Sequence, residues 1–290
     1  MKRKKILVVL PAAAIWLAAL IFAGFFDLDI SLSIADPMLP FGRILEIAGE
    51  PPAILFASFN CALIAVCFLK RESNQQSRLI LAALSIVGTV GTAYFTTNAT
   101  FGYIREWRAD LGKYFIGSGV ELFLVLLITA LLSALFLIIA FRINSDRLEK
   151  LLPAAAHCVL AAAVTLVVIW CFKLVWGRVR FRQLADLSQF TPFFHPNGFT
   201  GYFSFPSGHT ANATVILTVV YFFGFMPESR KKYRPLICAL LSVWIVIVAL
   251  SRVLVGAHYL SDVLCGGAIT AAIVYFCRPR NAKLSSKENQ

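Results

Sequence analysis

The chain has 290 residues, of which 59% are apolar and 14% charged, and its formal net charge is +12. This composition excludes an ordinary soluble domain and indicates an integral membrane protein. The charge would suggest a nucleic-acid partner if it formed one soluble basic patch, but the basic residues are sorted by membrane side, so we expect no nucleic acid as partner.

Eight apolar runs approach the roughly 20 residues needed to cross a hydrocarbon core about 30 Å thick. They lie at about residues 6–25, 53–69, 79–97, 122–141, 151–172, 210–225, 236–251 and 259–277. The first follows the basic segment MKRKK, but no small-residue cleavage site follows it, so we expect a retained helix. The sequence predicts an all-α fold, a polytopic membrane helical bundle with about eight transmembrane helices.

The basic residues favour one side of the membrane. With MKRKK in the cytoplasm, eighteen of the 27 Lys and Arg residues fall in cytoplasmic segments and nine fall outside. This positive-inside bias predicts that both termini are cytoplasmic. Five of the outer basic residues flank the ends of the fifth and seventh runs: Lys173, Arg178, Arg180, Arg182 and Arg252.

The seven cysteines all lie within or at the ends of predicted spans, without metal-ligand spacing. Thiols in such positions behave as small apolar side chains. We therefore expect neither disulfides nor a metal site, and no cofactor.

The fifth run ends in CFKLVWGRVRFRQL, where Lys173 and Arg180 stand seven residues apart. If the helix continues, two turns bring them to one face. Two interpretations are open. The two cations either anchor the end of the helix at the lipid headgroups or act together as positive donors to an anion.

The stretch FPSGHTANATV, residues 205–215, stands where the sixth run begins. Ser207 suits a helix cap, Gly208 lets the backbone approach a ligand, and the free N–H groups of a helix start attract anions. An ordinary turn explains the proline, serine and glycine but not His209, which is costly in hydrocarbon without partners.

The stretch SRVLVGAHYLSD, residues 251–262, carries Arg252, His258 and Asp262. Because His258 and Asp262 are four residues apart, a helix allows the carboxylate to hold one imidazole nitrogen and fix the tautomer. Asp262 alone is compatible with a helix cap, but the three residues together indicate a site.

These stretches together resemble the signature of the type 2 phosphatidic acid phosphatases, membrane lipid phosphatases that share their site with vanadium haloperoxidases. That signature is Lys, six residues, Arg-Pro; then Pro-Ser-Gly-His; then Ser-Arg, five residues, His, three residues, Asp. The matching positions are Lys173 to Arg180, Pro206 to His209, and Ser251-Arg252 through His258 to Asp262. Phe181 replaces the family proline, which alters the exit of the helix and leaves the chemical groups intact.

The resemblance implies a role for each matching residue. His258 is expected to attack phosphorus and form a phosphohistidine, Asp262 to orient it, and His209 to protonate the leaving group. The implied phosphate-binding residues are Lys173, Arg180, Ser207, Gly208 and Arg252. Since no carboxylate cluster accompanies these groups, turnover is expected to be metal-independent.

The resemblance also implies an architecture and a substrate class. The family core has six helices, so residues 1–150 are expected to hold about four transmembrane helices, including an extra hairpin, and to bear less on catalysis. Residues 151–277 then form the catalytic helices and 278–290 a cytoplasmic basic tail. The expected substrate is a lipid phosphate at the outer membrane face: polyprenyl diphosphate such as undecaprenyl diphosphate, phosphatidylglycerophosphate, phosphatidic acid or phosphorylated lipid A.

Two alternatives use the same anion site. Haloperoxidase chemistry belongs to soluble enzymes, which eight predicted spans argue against. A non-enzymatic lipid-phosphate binding or transport protein is the other alternative. The loop between residues 182 and 204 is rich in aromatic residues, which either fix it among the headgroups or guide a lipid, and His195 within it is expected to lie on the surface.

Overall fold

The computed structural model describes residues 2–71 and 76–279, without the side chains of residues 2–10 and 12. Part of the predicted loop at 70–78 and residues 280–290 of the predicted tail lie outside these ranges. The helices are α1 Lys2–Ile34, α2 Pro40–Ala48, α3 Pro51–Lys70, α4 Gln76–Asp110, α5 Ser118–Arg142, α6 Ser145–Trp176, α7 Gly208–Val215, α8 Glu228–Lys231, α9 Arg234–Leu254 and α10 Leu260–Phe276. A 3₁₀ stretch, Ile216–Phe225, continues α7.

Seven helical segments in the described part of the chain are long and apolar enough to cross a membrane. The eighth predicted run corresponds to α10, a shorter apolar helix of 17 residues. The fold is therefore the predicted all-α, multi-pass membrane type. The second span, Pro40–Lys70, begins with a separate short helix, α2, in a segment that the sequence analysis left outside the spans.

The chain divides into two compact units. The first unit comprises Met1–Gly49, Thr165–Thr214 and Trp244–Thr270, and the second comprises Glu50–Val164, Val215–Val243 and Ala271–Gln290. Every residue that the sequence analysis placed in the site belongs to the first unit.

The second unit has cores built largely from small side chains. One core includes Ala62, Val66 and Ala155, and another includes Ala161 and Cys158. In lipid the hydrophobic effect does not drive helices together, so they associate by close packing, which small residues allow. The thiol of Cys158 also donates to the hydroxyl of Thr218, at 2.7 Å, so this cysteine is a packed core residue.

Two glycines end helices beside the predicted site in the first unit. Gly177 follows α6 with φ of 50°, and Gly256 follows α9 with φ of 63°. Glycine is the residue that takes this left-handed conformation without a steric penalty. Because α6 ends at Trp176, Lys173 and Arg180 do not lie on one continuous helix, and the condition for their sharing a helical face is not met.

Candidate active site

The Pro-Ser-Gly-His segment is tied to the start of α10 and caps α7. The hydroxyl of Ser207 accepts from the backbone N–H of Thr210 at 3.3 Å, as predicted for a helix cap. The N–H of Ser207 donates to the backbone carbonyl of Asp262 at 2.9 Å. A Cβ on Gly266 would lie 2.5 Å from the Ser207 carbonyl oxygen, so the segment requires glycine at that position of α10.

Lys173 lies beside the first turn of α7. A Cβ on Gly208 would be 3.5 Å from Cε of Lys173, and the ammonium group of this lysine donates to the carbonyl of Phe203 at 2.6 Å. A buried ammonium next to the N–H groups of a helix start gives a positive environment suited to an anion.

His258 and Asp262 lie close together but not as the predicted helical pair, because His258 precedes α10 and no hydrogen bond joins the two side chains. Nδ1 of His258 lies 3.6 Å from Oδ2 of Asp262. The same oxygen accepts from the hydroxyl of Ser204 at 2.5 Å and from the N–H of Tyr259 at 3.0 Å. The imidazole is only 2% exposed. The carboxylate is thus fixed beside the histidine by Tyr259 from within the same stretch and by Ser204 from a distant part of the chain.

Arg178 holds the other oxygen of Asp262. Its guanidinium is fully buried and donates to Oδ1 of Asp262 at 2.6 Å and to Oδ2 of Asp27 at 3.0 Å. Cζ lies 4.0 Å from the ring centroid of Tyr259. The backbone N–H and the hydroxyl of Ser261 both donate to Asp27. Arg178 is therefore a buried partner of Asp262 and not a cation at the headgroups.

Sequence reasoning missed Asp27, Ser204 and Ser261 as parts of this network. A signal was present for Asp27, because a carboxylate among apolar residues at the end of a membrane span is costly unless it is paired. Nothing in the local pattern identified its partner, which lies 151 residues away.

Arg252 is fully buried and is held by its own helix and by α2. Nε donates to the hydroxyl of Ser251 at 3.1 Å, Nη2 donates to the carbonyl of Gly42, and Nη1 lies 3.3 Å from Oε1 of Glu46. The backbone carbonyl of Glu46 is also 3.2 Å from Nε2 of His209. Helix α2 thus contacts two residues of the predicted site.

Electrostatics keep His258 neutral. Burial lowers the pKa of this histidine most, the positive charges of Lys173 and Arg180 lower it further, and Asp262 opposes them, so that the pKa is about 3. Arg180 lies beyond the end of α6, yet its positive charge still acts on the imidazole of His258. At neutral pH the ring carries a lone pair available for nucleophilic attack.

The low pKa of His258 predicts a pH effect on stability. Between pH 6.5 and about 3 the unfolded chain binds a proton at this histidine and the folded chain does not, so stability falls as the pH falls. At pH 5 the loss is about 2 kcal/mol. We expect the Tm of the wild type in detergent to drop more between pH 7.5 and 5 than that of His258→Asn. Parallel Tm curves for the two proteins would contradict the neutral histidine.

The aromatic residues of the loop at 182–204 form two groups. Phe190 packs on Tyr259 and Phe193 on Phe205, with ring centroids 5.3 and 6.2 Å apart. Phe194 and Phe199 are instead 64% and 85% exposed. The first group stabilises the loop around the site, and the second provides apolar surface for lipid contact. His195 is exposed, as predicted.

Phe181, which replaces the family proline, begins a short 3₁₀ turn, Phe181–Gln183. Its ring lies against Gly256, where a Cβ would come within 2.9 Å of Cδ1. The ring also packs edge-on against Tyr259. The substitution thus fills space next to the turn that carries His258.

Residues 153–284 match the family model described as the PAP2 superfamily. We call this matched part of the chain the PAP2 region. The match confirms the resemblance drawn from the three sequence stretches, all of which lie inside the PAP2 region. The roles of the individual residues remain predictions.

Two curated relatives of the chain have named activities. Phosphatidylglycerophosphatase B of Bacillus subtilis (strain 168) is 34% identical over 89 residues, which are 30% of this chain and 41% of the relative. Lipid A 1-phosphatase of Rhizobium etli is 36% identical over 111 residues, which are 36% of this chain and 42% of the relative. The chain thus spans less than half the length of these relatives. No solved structure matches the chain.

Proposed function

We propose that this protein is a membrane lipid phosphatase that removes a phosphate group through a covalent phosphohistidine. The observation that carries the proposal is a buried, neutral His258 beside Asp262 and within the field of Lys173 and Arg180. A nucleophile, a carboxylate that orients it and cations for an anion are the parts that such chemistry needs.

In the first step, the free ring nitrogen of His258 attacks phosphorus. An N–P bond forms, the bond from phosphorus to the leaving oxygen breaks, and His209 gives a proton to that oxygen. Asp262 stabilises the positive charge that develops on the imidazole, and Arg178 keeps the carboxylate in place.

In the second step, water attacks the phosphohistidine. The water gives a proton to His209, the N–P bond breaks, and inorganic phosphate leaves. His209 thus returns to its first protonation state, and His258 regains its lone pair.

Charge on the equatorial oxygens of the transferring group requires fixed donors. We assign this role to Lys173, Arg180, Arg252, Ser207 and the N–H of Gly208. Arginine suits bidentate contact with phosphate, and lysine supplies a compact charge. These donors supply the stabilisation that a divalent ion gives in other phosphatases, and the proposal therefore includes metal-independent turnover.

We infer that the substrate is a phosphomonoester or diphosphate of a membrane lipid. The names of the two relatives, a phosphatidylglycerophosphatase and a lipid A phosphatase, support a lipid as the group that carries the phosphate. The distribution of basic residues supports cytoplasmic termini and a site at the extracytoplasmic face of the cell membrane.

Phosphate release from defined lipids tests the proposal. Detergent-purified protein with chelator present is expected to release phosphate from at least one of polyprenyl diphosphate, phosphatidylglycerophosphate, phosphatidic acid and phosphorylated lipid A. The preferred lipid defines the physiological substrate class. Activity that vanishes with chelator and returns with magnesium would contradict metal-independent turnover, and no release from any of these lipids would favour a lipid-phosphate binding protein.

A further inference from the structure

Glu46 of α2 lies among three arginines of the first unit. Its carboxylate is 3.0 Å from Nη1 of Arg43, 3.0 Å from Nη2 of Arg182 and 3.3 Å from Nη1 of Arg252. The carboxylate side chain is 4% exposed, and the side chains of Arg43 and Arg252 are equally enclosed. A buried carboxylate with such partners is ionised.

Most of this cluster lies outside the phosphatase signature. Among its members only Arg252 is a position of the signature, and Glu46 precedes the PAP2 region at 153–284. A negative charge in contact with a predicted phosphate donor is unexpected in a site that binds an anion, because it repels that anion.

The orientation of Arg252 does not depend on this carboxylate. The Arg252 guanidinium is also held by the hydroxyl of Ser251 and the carbonyl of Gly42. These two contacts orient the guanidinium plane, and both are independent of the Glu46 side chain. The Glu46 carboxylate places negative charge beside Nη1 of Arg252. A guanidinium binds a phosphate oxygen through the same kind of N–H group.

We propose that Glu46 is an affinity-determining residue, an internal anion that competes with phosphate for Arg252 and so limits retention of the phosphate product. The inference rests on the proposed function, because it takes Arg252 to be a phosphate donor. Its consequence is a site that attracts the lipid phosphate and still releases inorganic phosphate after each turnover.

Glu46→Gln tests the charge while keeping the size of the side chain. Without the carboxylate, the positive charge of Arg252 and Arg182 acts undiminished on a bound anion. We expect inorganic phosphate to bind at least about tenfold more tightly, measured by calorimetry on full-length protein in detergent, since nearby charges interact strongly where water is excluded. The product-inhibition constant should fall by the same factor.

A matched control and a second variant complete the experiment. Glu121→Gln removes a carboxylate paired with Arg105 in the second unit and should leave phosphate affinity unchanged.

Arg182→Gln removes a positive charge on a side chain that is 14% exposed. Glu46 then has one cation fewer to share its charge with, so its interaction with Arg252 becomes stronger. Phosphate should therefore bind several-fold more weakly to Arg182→Gln than to the wild type.

The outcomes separate this inference from the proposed function. Equal or weaker phosphate binding by folded Glu46→Gln overturns the inference, and continued lipid phosphatase turnover then leaves the proposed function standing. If Glu46→Gln fails to fold, tighter binding by Arg182→Gln overturns the inference in its place. If the wild type neither binds phosphate nor releases it from any lipid, both proposals fail.

Discussion

Replacing His258 with alanine is expected to reduce phosphate release by at least about 10⁴-fold, because the variant has lost the atom that forms the covalent bond to phosphorus. The neutral state of this histidine makes it the group in the site best suited to attack. The wild type and the variant are compared by their kcat/KM for phosphate release from the preferred lipid, measured in the same detergent. Labelled phosphate should also remain attached to acid-quenched wild type and be absent from the variant.

His195→Ala is the matched control for this experiment. His195 is exposed, and its ring lies 3.2 Å from Oδ1 of Asn197. Its loss should leave turnover within about twofold of the wild type, since surface substitutions have small effects. A His258→Ala protein that kept one tenth of the wild-type rate would contradict the covalent mechanism.

The second large effect is expected for Arg178→Met. The substitution leaves the buried carboxylates of Asp27 and Asp262 without the cation between them. Breaking a buried ion pair in this way costs about 3–5 kcal/mol. Because Asp262 then keeps only its contacts to Ser204 and Tyr259, its position beside His258 is less well fixed. We expect kcat to fall at least about 100-fold while KM changes little, together with a lower Tm.

The double variant Arg178→Met with Asp27→Asn separates stability from catalysis. Removing one of the two carboxylates relieves part of the repulsion, so the Tm should recover in part. Activity should not recover, because Asp262 still lacks its guanidinium partner. Wild-type turnover and Tm in Arg178→Met would show that Arg178 positions nothing.

Local patterns were enough to predict much of the site. The cap of α7 by Ser207 depends on residues three apart at a helix start. His258 and Asp262 are close in the chain and therefore also in space, although His258 precedes α10. The apolar runs likewise predicted the all-α membrane fold, since a single apolar segment of about 20 residues satisfies its own backbone groups within lipid by forming a helix.

Contacts between distant segments could not be predicted in the same way. Arg178 and Arg180 are two residues apart with the same side chain, yet Arg178 is buried between carboxylates from α1 and α10. Hydrophobic pattern does not identify which helices are neighbours, so it could not pair Asp27 with Ser261 across 234 residues. The end of α6 depended on the left-handed conformation of Gly177, which the seven-residue spacing of Lys173 and Arg180 did not reveal.

The buried Asp27 has a consequence for how the protein is made. Helix α1 leaves the ribosome and enters the bilayer well before Arg178 and Ser261 are synthesised, since these partners follow by 151 and 234 residues. A carboxyl group in hydrocarbon without its counterion is unfavourable. We therefore expect the N-terminal helix to reach its final place late in biogenesis, once the segments that carry Arg178 and Ser261 have been inserted.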